Sequence, residues 1–220
     1  YGVFAMKLYL SSQHMGSASH VLLEMIGDKK RVGVIANAID MSDGRHRADR
    51  LQKEEARLNK LGLETEELDL REYFGDSKTL KDRLKQFGMV WVRGGNVYTL
   101  VRAMEQSGFS KVASEMIRND SLVFGGYSAA TIVAAPDLLG SELIDDPHEI
   151  PFGYQEQAPP MKALGLIDHY IACHYESKQP WAKNVPDYVD YITKERKDIL
   201  KLRDGEVYII NGDVESGYVA

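Results

Sequence analysis

Cysteine occurs once in this 220-residue chain, as Cys173. A single thiol excludes an internal disulfide framework and a cysteine-built metal site, both of which need several thiols. Long apolar runs are missing as well. None approaches the roughly 20 residues that span a bilayer, and no basic start leads into an apolar stretch as in a secretory leader. A soluble cytoplasmic protein is therefore expected. Positive charge is not in excess: 27 Lys and Arg face 33 Asp and Glu, for a net charge of −6. With the basic residues scattered among acidic ones, no cationic face is available to neutralise phosphates, so neither nucleic acid nor an anionic membrane is an expected partner. The spacings G-x-x-x-x-G-K-[ST], G-x-G-x-x-G and H-E-x-x-H do not occur, and no metal or cofactor is expected.

What is present suffices for one sizeable core. Hydrophobic residues make up 44% of the chain, and a single domain over 6–220 is expected. Tyr1 to Ala5 precede Met6-Lys7, which has the look of a natural start, so they read as an expression remnant.

Short β-rich runs at Lys7–Ser11, Val32–Ala36, Glu66–Asp69, Met89–Val92 and Ser121–Phe124 read as strands. Between them, Arg45–Leu61, Thr79–Phe87 and Val97–Ser107 place apolar residues at helical spacing, with Gly62 as a stop for the first. This alternation predicts a mostly parallel sheet covered by helices on both faces, a three-layer αβα sandwich with ligand sites beyond the strands' carboxyl ends. Pro136 to Gly165 is aperiodic and predicts an irregular excursion over that end. Beyond it, Tyr170–Cys173 predicts a strand and Tyr188–Leu200 a helix, and Glu206–Ile210 with Asn211-Gly212 predicts a C-terminal β-hairpin.

Two loops fall at the predicted carboxyl edge, Arg93-Gly94-Gly95-Asn96 and Gly125-Gly126-Tyr127-Ser128. Gly126-Tyr127-Ser128-Ala129-Ala130 is close to G-x-S-x-G, in which a tight strand-to-helix turn raises a nucleophilic serine above the sheet, with Ala130 replacing the last glycine. The same residues would also make an ordinary serine helix cap. Of six histidines, His174 is the leading base because it follows a predicted strand, whereas His20 and His46 fall in helical or surface stretches. Asp204, on the Asp-Gly turn, is the preferred orienting acid, and Asp168 is a weaker candidate. Glu176, two residues from His174, would point away from the ring. Gly94-Gly95 and the N–H of Ala129 are candidate oxyanion donors.

Taken together, Val92-Arg93-Gly94-Gly95-Asn96, Gly126-Tyr127-Ser128-Ala129-Ala130, Ala172-Cys173-His174-Tyr175 and Leu202-Arg203-Asp204-Gly205 resemble peptidase family S51, the α-aspartyl dipeptidase family, from about Met6 to the C-terminus. The resemblance implies a class I glutamine amidotransferase-like, flavodoxin-like fold and a Ser128–His174–Asp204 triad. It further implies oxyanion donors at Gly95 and Ala129, substrate contacts at Gly94, Asn96 and Tyr127, and a small peptide as substrate. A homodimer is the assembly compatible with it. The order Ser, His, acid differs from the Ser, acid, His order of α/β-hydrolases. The arginine-containing stretch that follows the family's catalytic histidine has no aligned counterpart in 176–189, where the cations are Lys178 and Lys183. Other amide or isoaspartyl specificity, as in cyanophycinases, and a non-catalytic binding module are the alternatives. Amidotransfer needs a cysteine at the elbow, which this chain does not have.

Overall fold

The computed structural model describes residues 6–218, so Tyr1 to Ala5 lie outside the described residues. Strands β1 (Lys7–Ser11), β2 (Arg31–Ile35), β3 (Glu64–Glu67), β4 (Met89–Val92) and β5 (Val123–Tyr127) run parallel. Strands β8 (Val207–Asn211) and β9 (Val214–Tyr218) complete a seven-stranded sheet in the order β3-β2-β4-β5-β1-β8-β9. β8 runs antiparallel to β1, and β9 folds back on β8 as the predicted hairpin.

Alternation along the strands separates two cores. Leu8, Leu10, Val90, Val92 and Phe124 face helices α3 (Ser77–Leu84), α4 (Val97–Gln106) and α5 (Phe109–Arg118). Tyr9, Val32, Val34, Met89 and Trp91 face α1 (Ser19–Ile26) and α2 (Gly44–Asn59). Strands buried on both faces read as continuous apolar runs, which is why β4 and β5 stood out in the sequence. The fold is thus the expected three-layer αβα sandwich.

Local chemistry explains where the predicted boundaries moved. α2 begins at Gly44 because the Asp43 carboxylate accepts the His46 N–H, and α3 begins at Ser77 because Asp76 accepts the Thr79 N–H at 3.0 Å. Helices α1 and α5 went unpredicted. The stretch from Tyr188 to Leu200 is not one helix. Helix α7 (Val185–Lys194) ends in a turn with Arg196 at φ 56°, and Ile199–Lys201 forms β7. β7 pairs with β6 (Tyr170–Ala172) in a separate two-stranded sheet, so the strand before His174 is not part of the main sheet. A side cluster of Tyr170, Ala172, Tyr188, Val189 and Ile192 packs this ribbon against α7.

The excursion 136–165 is irregular, as expected, but firmly tied. Tyr154 donates to Asp40 Oδ2 at 2.7 Å, Arg102 Nη1 donates to the Gln157 carbonyl at 3.0 Å, and Asn96 Nδ2 donates to the Asp146 carbonyl at 2.9 Å. The Asp40 side chain is fully buried and also accepts from Asn37 Nδ2 and Arg47 Nε, at 2.7 and 2.6 Å. This one carboxylate therefore ties the turn after β2, helix α2 and the excursion together. Tyr154→Phe removes a single bond to it and should cost about 1 kcal/mol, whereas Asp40→Ala leaves the half-paired Arg47 behind and should cost about 3 kcal/mol or more. Urea unfolding of both variants measures the difference, and equal losses would contradict Asp40's central position.

Candidate active site

Ser128 follows β5 and precedes helix α6 (Ala129–Ile132). Its backbone sits at φ 55°, ψ −111°, a conformation rarely open to a residue with a Cβ, and its side chain makes no capping hydrogen bond. An ordinary N-cap would show neither feature. The turn fits because Gly126 has no side chain: a Cβ there would meet the Val92 carbonyl oxygen at 2.3 Å and Ala130 Cβ at 2.5 Å. The methyl of Ala130 therefore occupies the room that Gly126 leaves and is fully buried in the core. Replacement of the motif's last glycine is accommodated within the elbow itself.

His174 also has a left-handed backbone, φ 59°, at the end of β6. Its Nε2 lies 3.2 Å from Ser128 Oγ, and its Nδ1 lies 2.6 Å from Asp204 Oδ1. A carboxylate can only accept, so Nδ1 carries the proton and Nε2 is left to accept from the serine hydroxyl. Asp204 stands on the turn between β7 and β8, and its other oxygen accepts from Ser177 Oγ at 2.7 Å. Glu176 points away from the ring and pairs with Arg203 at 2.6 Å. Asp168 is exposed beside His169.

The Gly94-Gly95 loop abuts the serine. A Cβ on Gly94 would lie 2.8 Å from Ser128 Cβ, and one on Gly95 would lie 2.3 Å from the Ala38 carbonyl oxygen, so neither position tolerates a side chain. The amide N–H groups of Gly94, Gly95 and Ala129 have no acceptor among the described residues. Asn96, expected as a substrate contact, has its side chain engaged within the fold. Its Oδ1 accepts the N–H groups of Tyr98 and Thr99 as the cap of α4, and its Nδ2 holds the excursion. Capping is the stronger claim on an Asn just before a helix.

Several residues here were not singled out from the sequence. At the end of β1, the Ser11 carbonyl accepts the Ser128 N–H at 3.1 Å and Thr131 Oγ1 at 2.7 Å. Ser12 Oγ accepts the His174 N–H at 2.8 Å and donates to the Leu202 carbonyl at 3.1 Å. Two serines at a strand end carry no motif, and only the fold brings them to the elbow. Cys173 is buried behind the serine, 3.8 Å from the Ser128 carbonyl, and burial pushes its thiol up to about 12. It is therefore no substitute nucleophile.

These residues open onto a cleft of about 700 Å³ lined also by His14, Arg50, Arg93, Tyr127, Asp145 and Trp181. That volume suits a small ligand. Asp145 accepts the Val97 N–H at 2.8 Å, but its burial dominates and lifts its pKa to about 6. Burial, the charge of Arg57 and that of Arg93 together lower the pKa of His14, and the Glu54 carboxylate opposes them. Among the described residues no cluster of three or more His, Cys, Asp or Glu could hold a metal ion.

Two outcomes follow from this geometry. Ser12→Ala strips the acceptor from the His174 N–H and should lower stability by about 1–3 kcal/mol. It should also lower kcat more than it raises KM, because the ring loses its anchor. Unchanged kcat would contradict the anchoring role. Asp145 has a folded pKa of about 6 against an ordinary value of 3.8. The folded state therefore holds a proton that the unfolded state releases, and stability is lost as pH rises from about 4 to 6. Asp145→Asn keeps an acceptor for Val97 and should be more stable than the parent at pH 7.5 by about 1–3 kcal/mol, with the gain gone below about pH 4. Thermal melts across that range measure it.

The comparisons agree with this architecture. An uncharacterized peptidase of Listeria innocua is 28% identical over 156 residues, covering 68% of this chain and 71% of the relative. Peptidase E of Streptomyces coelicolor is 26% identical over 136 residues, covering 60% of this chain and 52% of the relative. A solved structure described as a candidate peptidase E from Listeria monocytogenes superposes with a TM-score of 0.76 at 22% identity, over 97% of this chain and 98% of the other. A peptidase from an acI-B1 Actinobacterium superposes with a TM-score of 0.70 at 14% identity, over 100% and 96%. These two likenesses establish the fold. No helix of the described residues is long and apolar enough to cross a membrane. The model of peptidase family S51 matches residues 8–216, nearly the whole chain, which therefore belongs to that family and is a serine peptidase.

Proposed function

We propose that this chain hydrolyses short peptides, with an aspartyl dipeptidase-type activity, through Ser128, His174 and Asp204. The observation that carries the reading is the continuous path from Asp204 Oδ1 to His174 Nδ1 at 2.6 Å and from His174 Nε2 to Ser128 Oγ at 3.2 Å, ending on a serine in a strained elbow. In the first half, Ser128 Oγ bonds to the scissile carbonyl carbon while its proton passes to His174 Nε2. Asp204 keeps the ring in the required tautomer and stabilises the imidazolium. The carbonyl oxygen becomes an oxyanion facing the N–H groups of Gly95 and Ala129, which have no other acceptor among the described residues.

The C–N bond then breaks as His174 gives its proton to the leaving amine, and Ser128 is left acylated. Water attacks this ester, losing a proton to His174. The acid product departs and Ser128 regains its hydrogen. A cleft of about 700 Å³ favours short substrates over folded chains.

Ser128→Ala should reduce kcat/KM on Asp-Leu by at least about 1,000-fold while leaving the melting temperature within a few degrees. Retained turnover sinks the assignment of Ser128. Faster cleavage of β-linked than of α-linked aspartyl peptides would move the specificity to isoaspartyl bonds.

A further inference from the structure

Six of the twelve arginines are matched to carboxylates: Arg31, Arg47, Arg57, Arg71, Arg83 and Arg203 each face one within 3 Å. Arg93 is not among them. It lines the cleft, makes no ion pair among the described residues, and its Nε is buried with no hydrogen-bond partner. Its Nη1 donates to the carbonyl of Gly94, which pins the guanidinium to the glycine loop. That loop abuts the nucleophile, since a Cβ on Gly94 would lie 2.8 Å from Ser128 Cβ. Only part of the donor capacity of this half-buried guanidinium is used within the fold.

The surroundings select the ligand's charge. His14 shares this wall with Arg93, its Nδ1 buried and unpartnered, its ring 5.2 Å from that of Tyr127. Arg50 and Lys183 also line the cleft, whereas its acid, Asp145, already accepts the Val97 N–H. The chain is acidic overall, yet this cleft is locally cationic.

We propose that Arg93 is the specificity-determining residue of this site, its free guanidinium N–H groups binding a substrate carboxylate beside the scissile carbonyl, with His14 as a second polar contact. The proposal rests on the peptidase reading above. Tethered to Gly94, the guanidinium reaches only a carboxylate a few bonds from the reacting carbon. Two carboxylates meet that condition: the side chain of an aspartyl residue on the acyl side and the C-terminal carboxylate of the leaving amino acid. Arginine suits either, because its planar fork matches a carboxylate.

The test separates binding from catalysis by using the Ser128→Ala protein and calorimetric titration with Asp-Leu, Asn-Leu and Asp-Leu amide. Removing the recognised carboxylate should weaken binding by about tenfold or more, in Asn-Leu if the side chain is held and in Asp-Leu amide if the terminus is held. Adding Arg93→Met should reduce that discrimination to within about threefold, and Arg93→Lys should give an intermediate value. Equal affinity for all three peptides, absence of binding, or discrimination that survives Arg93→Met overturns the proposal. Failure of the peptidase reading would show elsewhere, as Asp-Leu turnover retained by Ser128→Ala.

Discussion

Everything at the site depends on the carboxyl end of β1. The Ser11 carbonyl holds the amide of Ser128 and the hydroxyl of Thr131, which fixes the elbow and the first turn of α6. One residue on, the fully buried Ser12 hydroxyl takes the amide of His174 and gives its proton to the carbonyl of Leu202, two residues before Asp204. Ser128, His174 and Asp204 come from three distant parts of the chain, and two consecutive serines at one strand end set their spacing. Each side chain of the hydrogen-bonded path is thereby fixed through its backbone, which is the preorganisation that acyl transfer requires.

That constraint explains why strain gathers at this edge. Ser128 and His174 both hold positive φ, at 55° and 59°, and such conformations cost about 1–3 kcal/mol each for residues with a Cβ. They persist because the surroundings leave no alternative. Gly126 must pass the Val92 carbonyl and Ala130, and His174 is tied to Ser12 on one side and followed by a tight turn in which the Ser177 N–H meets the His174 carbonyl at 3.0 Å. The excursion 136–165, anchored through Asp40 and Arg102, reaches the same edge, and Asp145 within it lines the cleft.

Local pattern revealed the main sheet well, because β1, β2, β4 and β5 are buried on both faces and stand out as apolar runs. It also singled out Ser128, His174 and Asp204, which the fold brings within hydrogen-bond reach of one another, since an elbow, a strand end and an Asp-Gly turn leave marks within a few residues. What it missed depends on contacts across the chain. Ser12 reaches His174 over 162 residues of sequence, and only the fold sets Arg93 on the wall of the cleft without an ion pair among the described residues. The error over 188–200 has the same origin: Ile199–Lys201 would pass for the end of a helix until β6 is there to pair with it. In the sequence Asn96 suits either a cap or a ligand, and in the fold its side chain caps α4.

The central claim is that His174 activates Ser128. A fluorophosphonate probe followed by mass spectrometry of the labelled peptide addresses it directly. The account predicts one adduct, on Ser128, formed in the parent protein and slowed at least about 100-fold in His174→Ala. Labelling at another residue, or at Ser128 with equal speed in the absence of the His174 ring, would contradict it.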